Sequence, residues 1–140
     1  LYVSTTGTDA DWVVKIIDVF PDSTPDPTEN PRGVRMGGYQ MLVRGDIIRG
    51  KFRNSFEKPE PFKPGQLARV KFKLPDVQHR FFKGHRIMIQ VQSSWFPLFD
   101  RNPQTFCQIN KADEKDFVKA EHRLYRSQEH PSSVIVQTLK

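Results

Sequence analysis

Residues 66–74 read QLARVKFKL, and this stretch decides the fold class. Ala68, Val70, Phe72 and Leu74 alternate with Arg69, Lys71 and Lys73. Successive side chains of a strand point to opposite faces, so apolar and cationic positions in strict alternation describe a half-buried strand. Upstream, KPEPFKPGQ (58–66) is a proline-punctuated connection with a turn at Pro64–Gly65. Downstream, HRIMIQVQSS (85–94) follows Gly84 as another strand, with Ile87, Ile89 and Val91 on one face and Met88, Gln90 and Gln92 on the other.

Further out, the pattern repeats. DWVVKIIDVF (11–20) carries Trp12, Val14, Ile16 and Phe20 on one face, and Val13, Ile17 and Val19 with Lys15 on the other. Both faces are mostly apolar, as in a central strand covered on both sides. PDSTPDPTENP (21–31) has no aliphatic side chain and reads as a long, ordered surface loop. After a glycine turn at Gly37 and Gly38 come YQMLVR (39–44) and DIIRGKFR (46–53), read as two strands joined near Gly45. LYVSTT opens the chain in a strand, and RLYR (123–126) and SVIVQTL (133–139) close it with two more. Only ADEKDFVKAEH (112–122) has helical composition, enough for one short helix. About seven closely spaced strands with almost no helix between them predict an all-β sandwich or barrel.

The chain has 140 residues, the length of one domain. Hydrophobic residues make up 36%, so the core must draw on large side chains, which 11 phenylalanines and 2 tryptophans supply. The single cysteine, Cys107, rules out an internal disulfide and a multi-cysteine zinc site. Its apolar surroundings, TFCQI, predict a buried small hydrophobe. No apolar run is long enough to span a membrane as a helix, and no membrane partner is expected. The start on LYVSTT, without methionine, reads as a piece of a longer protein whose targeting signal would lie upstream, which leaves the compartment open.

The chemistry-bearing motifs are missing. There is no G-x-S-x-G nucleophile elbow, no HExxH, no Walker loop and no dinucleotide fingerprint. His79, His85, His122 and His130 read as turn or hydrogen-bonding residues, although distant pairs can meet in space. Asp22, Asp26 and Glu29 match no calcium loop. The expectation is therefore no catalytic residue, no metal and no cofactor within the chain. A net charge of +6 raises the nucleic-acid question, with Arg44, Arg49, Lys51, Arg53, Arg69, Lys71 and Lys73 as a basic face and Phe52 and Phe56 as stacking platforms. The solvent side of an amphipathic strand carries such cations anyway, so no nucleic-acid partner is expected.

The segment SSWFPLFDRN (93–102) is the candidate site. Trp95, Phe96, Leu98 and Phe99 crowd around Pro97, and Asp100, Arg101 and Asn102 follow. A simple solvent loop does not expose so much aromatic surface. Either the rings plug the end of the sandwich, or the loop is a rigid contact to another domain with Asp100 and Arg101 holding its shape through charge-assisted bonds. Composition alone leaves both open. An apolar centre with a polar rim is the build of a protein interface, and the seven residues are taken as an interdomain contact.

Longer phrases carry a family resemblance. DADWVVKIIDVFPD (9–22), GYQMLVRGDIIRGKFRNSFEKPEPFKPG (38–65), FKGHRIMIQVQSSWFPLFDRNPQ (82–104) and HRLYRSQEHPSSVIV (122–136) together resemble the C-terminal domain of the CocE/NonD serine hydrolases. That family includes X-Pro dipeptidyl peptidases, cocaine esterase, glutaryl-7-aminocephalosporanic-acid acylase and α-amino-acid ester hydrolases. The resemblance implies a galactose-binding-like jelly roll, one C-terminal domain over 1–140 that begins after its first strand or two. It implies an α/β-hydrolase domain of the same parent chain as partner, with a Ser-His-Asp triad wholly in that absent domain. The jelly roll would pack on the hydrolase domain and help shape its substrate cleft. A sheet edge left open by truncation would permit a homodimer. The alternative is a free-standing carbohydrate- or nucleic-acid-binding β-sandwich.

Overall fold

Asp11–Val19 form β2, nine residues with no exposed position, as a run apolar on both faces requires. The computed structural model describes residues 1–137. The other strands are β1 (Tyr2–Thr5), β3 (Gln40–Arg49), β4 (Ala68–Arg69), β5 (Arg86–Gln92) and β6 (His122–Tyr125). They form two three-stranded sheets, ordered β4-β1-β6 and β3-β2-β5. The chain is all-β, with two antiparallel sheets of the kind that build a β-sandwich. No α-helix occurs among the described residues.

The chain divides into two compact units. The first comprises Leu1–Trp12, Ile48–Phe72 and the residues from Ser93 onward. Its sheet sets Val3 between Ala68 and Leu124, and Val3, Ala10, Trp12, Ile48, Phe62 and Val70 are among its buried apolar residues. Gly50 sits where a Cβ would lie 2.4 Å from the Phe62 ring and 2.6 Å from the Ala10 carbonyl oxygen, so only glycine fits. The second unit comprises Val13–Ile47 and Lys73–Gln92. In it β2 pairs with β5 from Val13↔Gln92 to Val19↔Arg86, and Val13, Val14, Ile17 and Val19 are buried.

Several expectations need correction. Residues 39–44 and 46–53 are not two strands: β3 runs unbroken through Gly45 and ends in a 3-10 turn at Gly50–Phe52. QLARVKFKL keeps its alternation in burial as far as Leu74, yet its ladder is only two residues long. Beyond Arg69, Val70 and Leu1 still exchange a pair of backbone bonds. ADEKDFVKAEH holds one 3-10 turn at Glu114–Asp116, closed by reciprocal Asp113 and Asp116 bonds to the backbone. Val118 then gives its N–H to the Pro103 carbonyl, 3.0 Å away, instead of continuing a helix. In SVIVQTL, residues 133–137 form no strand, Ile135 and Val136 are exposed, and 138 and 139 lie outside the described residues. Cys107 is half-buried rather than buried, and its carbonyl accepts from Lys51 Nζ. On β5 the isoleucine face is the open one: Ile87 is 62% exposed while Met88, Gln90 and Gln92 are half-buried.

Candidate functional site

The residues 95–102 stand on a buried polar base within the first unit. Asp11, at the start of β2, accepts from Arg49 Nη1 at 2.8 Å on one carboxylate oxygen and from Asn102 Nδ2 at 2.8 Å on the other. Asp9 accepts from the backbone N–H groups of Ala10 and Lys51. Lys51 Nζ reaches the Cys107 carbonyl at 2.7 Å, and Arg49 also donates to the Asp100 carbonyl at 3.3 Å. Asn102 in turn accepts from Gln104 N at 2.8 Å, with Gln104 held at φ +66°. Such a backbone for a non-glycine residue persists only where its surroundings fix it, and here the Gln104 carbonyl takes the N–H groups of Thr8 and Asp9.

This base has a pH signature. Burial raises the Asp11 carboxyl from 3.8 to about 6, against the Asn102 bond and the Arg49 charge that lower it, and burial raises Asp9 too. Between these values the folded state binds more protons than the unfolded chain, so the Asp11 contribution to stability falls as pH rises through the window and its cost is complete above about 6. A shift of this size corresponds to about 3 kcal/mol at most. Relative to Asp11→Asn, the wild-type chain should therefore gain stability as pH drops from about 7 to about 4.5. Denaturant midpoints of both proteins across that range check this, and a flat difference counts against it.

The seven candidate residues separate by direction. Phe96 and Leu98 are 63% and 65% exposed, while Trp95 and Phe99 are half-buried with ring centroids 6.1 Å apart. Asp100 is exposed and contributes its carbonyl to Arg49. Arg101 is exposed, with its guanidinium over the Phe96 ring at 5.6 Å and the Phe117 ring at 5.8 Å. Asn102 is the correction: expected on a polar rim, it is only 4% exposed, because its amide is consumed by Asp11 and Gln104. The loop's shape is thus held by Asn102 and by the Asp100 carbonyl, not by the side chains of Asp100 and Arg101.

A second buried carboxylate lies in the second unit. Asp18 on β2 is 1% exposed and meets His79 Nε2 at 2.9 Å and His85 Nδ1 at 2.8 Å, one on each oxygen. Desolvation pushes its carboxyl up, but the bonds and charges of the two histidines together bring it below its ordinary value. Phe20 packs on His85 at 4.5 Å and Phe81 edge-on against His79 at 4.7 Å. Asp18 was missed in the sequence, although an acid inside IIDVF was the signal: a charge in a doubly covered strand needs partners.

Four of the cations counted toward a basic face are bonded within their own units. Arg49 and Lys51 serve the buried base, Arg53 donates to the carbonyls of Gly50, Glu60 and Pro61, and Arg44 to that of Asp76. A recess of about 270 Å³ beside Arg49, Lys51 and Asp100 therefore has its cations already engaged. His122 packs edge-on to Trp12, and burial lowers its pKa. Among the described residues no group of three histidine, cysteine or acidic side chains is placed to hold a metal ion.

Comparison with known proteins supplies the context. Residues 1–135 match the family model of the X-Pro dipeptidyl-peptidase C-terminal non-catalytic domain. Cocaine esterase of Rhodococcus sp. (strain MB1 Bresler) is 31% identical over 140 residues, which is 100% of this chain and 22% of that protein. The crystal structure of an aminopeptidase from a marine sediment archaeon, Thaumarchaeota archaeon, shares 48% identity at a TM-score of 0.83, over 94% of this chain and 21% of the other. An α-amino acid ester hydrolase structure shares 47% identity at a TM-score of 0.83, over 93% and 20% respectively. The chain spans about a fifth of the length of each of these relatives.

Proposed function

The chain belongs to the family of X-Pro dipeptidyl-peptidase C-terminal non-catalytic domains, and on that premise we propose that it docks on the hydrolase portion of its own parent chain and helps shape the substrate cleft there. The parent, in this reading, is a serine hydrolase acting on esters or amides. The relatives carry the matching segment as about a fifth of a larger chain, which provides the partner. The observation that carries the reading is the pairing of exposure with rigidity at 95–102. Phe96 and Leu98 stand open to solvent on a loop whose base is tied by Asn102 to Asp11. A core plug would have these side chains covered by its own fold. An exposed aromatic side chain beside an arginine matches the composition of interfaces, and a fixed loop loses little freedom on docking.

Phe96→Ala tests the reading in two settings. In the isolated chain it should cost less than about 1 kcal/mol, well short of the ~3–5 kcal/mol expected of a core aromatic. In the full-length parent it should lower kcat/KM on all substrates alike, because the loosened contact lies outside the chemistry. Denaturant unfolding of the chain and kinetics of the parent are the paired measurements. Severe unfolding of the chain, or unchanged kinetics in the parent, overturns the assignment.

A further inference from the structure

We propose that Arg101 is the receptor for a carboxylate, an aspartate or glutamate side chain on the hydrolase portion of the parent chain, seated between Phe96 and Phe117. The proposal rests on the docking reading above and names the chemistry of the partner group.

Three observations converge on Arg101. First, its guanidinium lies over two rings from separate stretches, Phe96 at 5.6 Å and Phe117 at 5.8 Å, the first 63% and the second 42% exposed. Second, among the described residues it has no carboxylate and no carbonyl as acceptor, whereas Arg49, Arg53 and Arg44 are bonded. A guanidinium resting against ring faces keeps the donors along its planar edge free, and that edge matches the two oxygens of a carboxylate. Third, the position is fixed from beneath. Asn102, next in sequence, is tied to Asp11, and the Pro103 carbonyl accepts from Val118, which keeps Phe117 beside Arg101.

The flanking rings exclude water once a partner covers them, and a charge-assisted pair gains strength as its surroundings lose water. Charge complementarity points the same way: the chain carries +6, and an acidic contact is what its partner would present. The nearby acids do not pre-empt the site. Asp116 is turned back to the Asp113 backbone, and Asp113 pairs with Lys115.

The test uses the full-length parent and hydrogen exchange of the backbone amides at 96, 98, 99, 117 and 118, which docking protects. Arg101→Met and Arg101→Glu should each accelerate exchange there, the latter about 30-fold or more, the range for losing one member of a covered charge pair. Arg101→Lys should fall between, since a point charge lacks the fork. One Asp→Arg or Glu→Arg change on the hydrolase portion should restore protection to Arg101→Glu. If Phe96→Ala accelerates exchange while Arg101→Met does not, docking stands and the carboxylate is wrong. Acceleration by both Arg101→Met and Arg101→Glu with no rescuing reversal also overturns the carboxylate. If neither Phe96→Ala nor the Arg101 variants have any effect, the docking reading falls as well. Unchanged melting of the same variants in the isolated chain confirms that the fold is intact, and a collapsed chain assigns Arg101 to the fold and overturns the proposal.

Discussion

His79→Leu/His85→Leu should destabilise the chain by about 2–4 kcal/mol at pH 7, because it leaves the Asp18 carboxylate buried with neither of its ring partners. Leucine keeps apolar bulk against Phe20 and Phe81, so the loss reports the charge more than the packing. The figure sits low in the range for a broken buried pair, since the histidine side chains are 21% and 12% exposed and water is close behind them. The sign of the pH dependence separates this from a simple packing defect. In the wild-type chain the Asp18 pKa is depressed, so its stabilisation is present above the ordinary carboxylate value of 3.8 and is lost as pH falls through the folded value. In the double variant desolvation acts unopposed, the pKa is raised, and acid relieves the penalty. The stability gap between the two proteins should therefore narrow from about pH 7 to about pH 4. Urea midpoints at both ends measure it, and an equal gap at both would show that Asp18 does not carry the effect.

Asn102→Ala should cost the isolated chain about 3 kcal/mol, whereas Arg101→Ala, one position earlier, should change it by less than about 0.5 kcal/mol. The asparagine serves the buried Asp11 carboxylate and receives the Gln104 N–H, so alanine strips a charged acceptor of one partner and orphans a donor. Arg101 gives the fold only ring contacts at an exposed site. Unfolding of the two variants side by side decides it: equal losses would deny that the loop is anchored at 102 and free at 101.

How far these roles were legible depends on how local their causes are. DWVVKIIDVF shows a central strand because both of its faces are written in ten consecutive residues. The partners of its acid stand 61 and 67 residues away, so Asp18 was visible as an anomaly but not as a pair. Asn102 looks in sequence like its neighbours Asp100 and Arg101, and its inward turn is decided by Asp11, 91 residues earlier. QLARVKFKL announces which side chains are covered, since that follows from alternation, but ladder length belongs to the strand opposite. The helical composition of 112–122 yields to a single pair of backbone bonds from Asp113 and Asp116. The segment 93–102 stands out as a whole by its aromatic content, while the division into open Phe96 and Leu98 and half-covered Trp95 and Phe99 comes only with the backbone path.

The arrangement of the sheets also sets a timetable for biosynthesis. The second unit ends at Gln92, so all of its segments exist once that residue has left the ribosome. The sheet of the first unit joins Tyr2–Thr5 to His122–Tyr125, with residues 6–121 between them. At ordinary translation speeds the intervening residues take roughly 6–23 s to make. Throughout that interval Val3, fully buried in the finished protein, has no Leu124 to meet. Of the two pairings that β1 makes, with Ala68–Arg69 and with His122–Tyr125, the second is thus the later to become available.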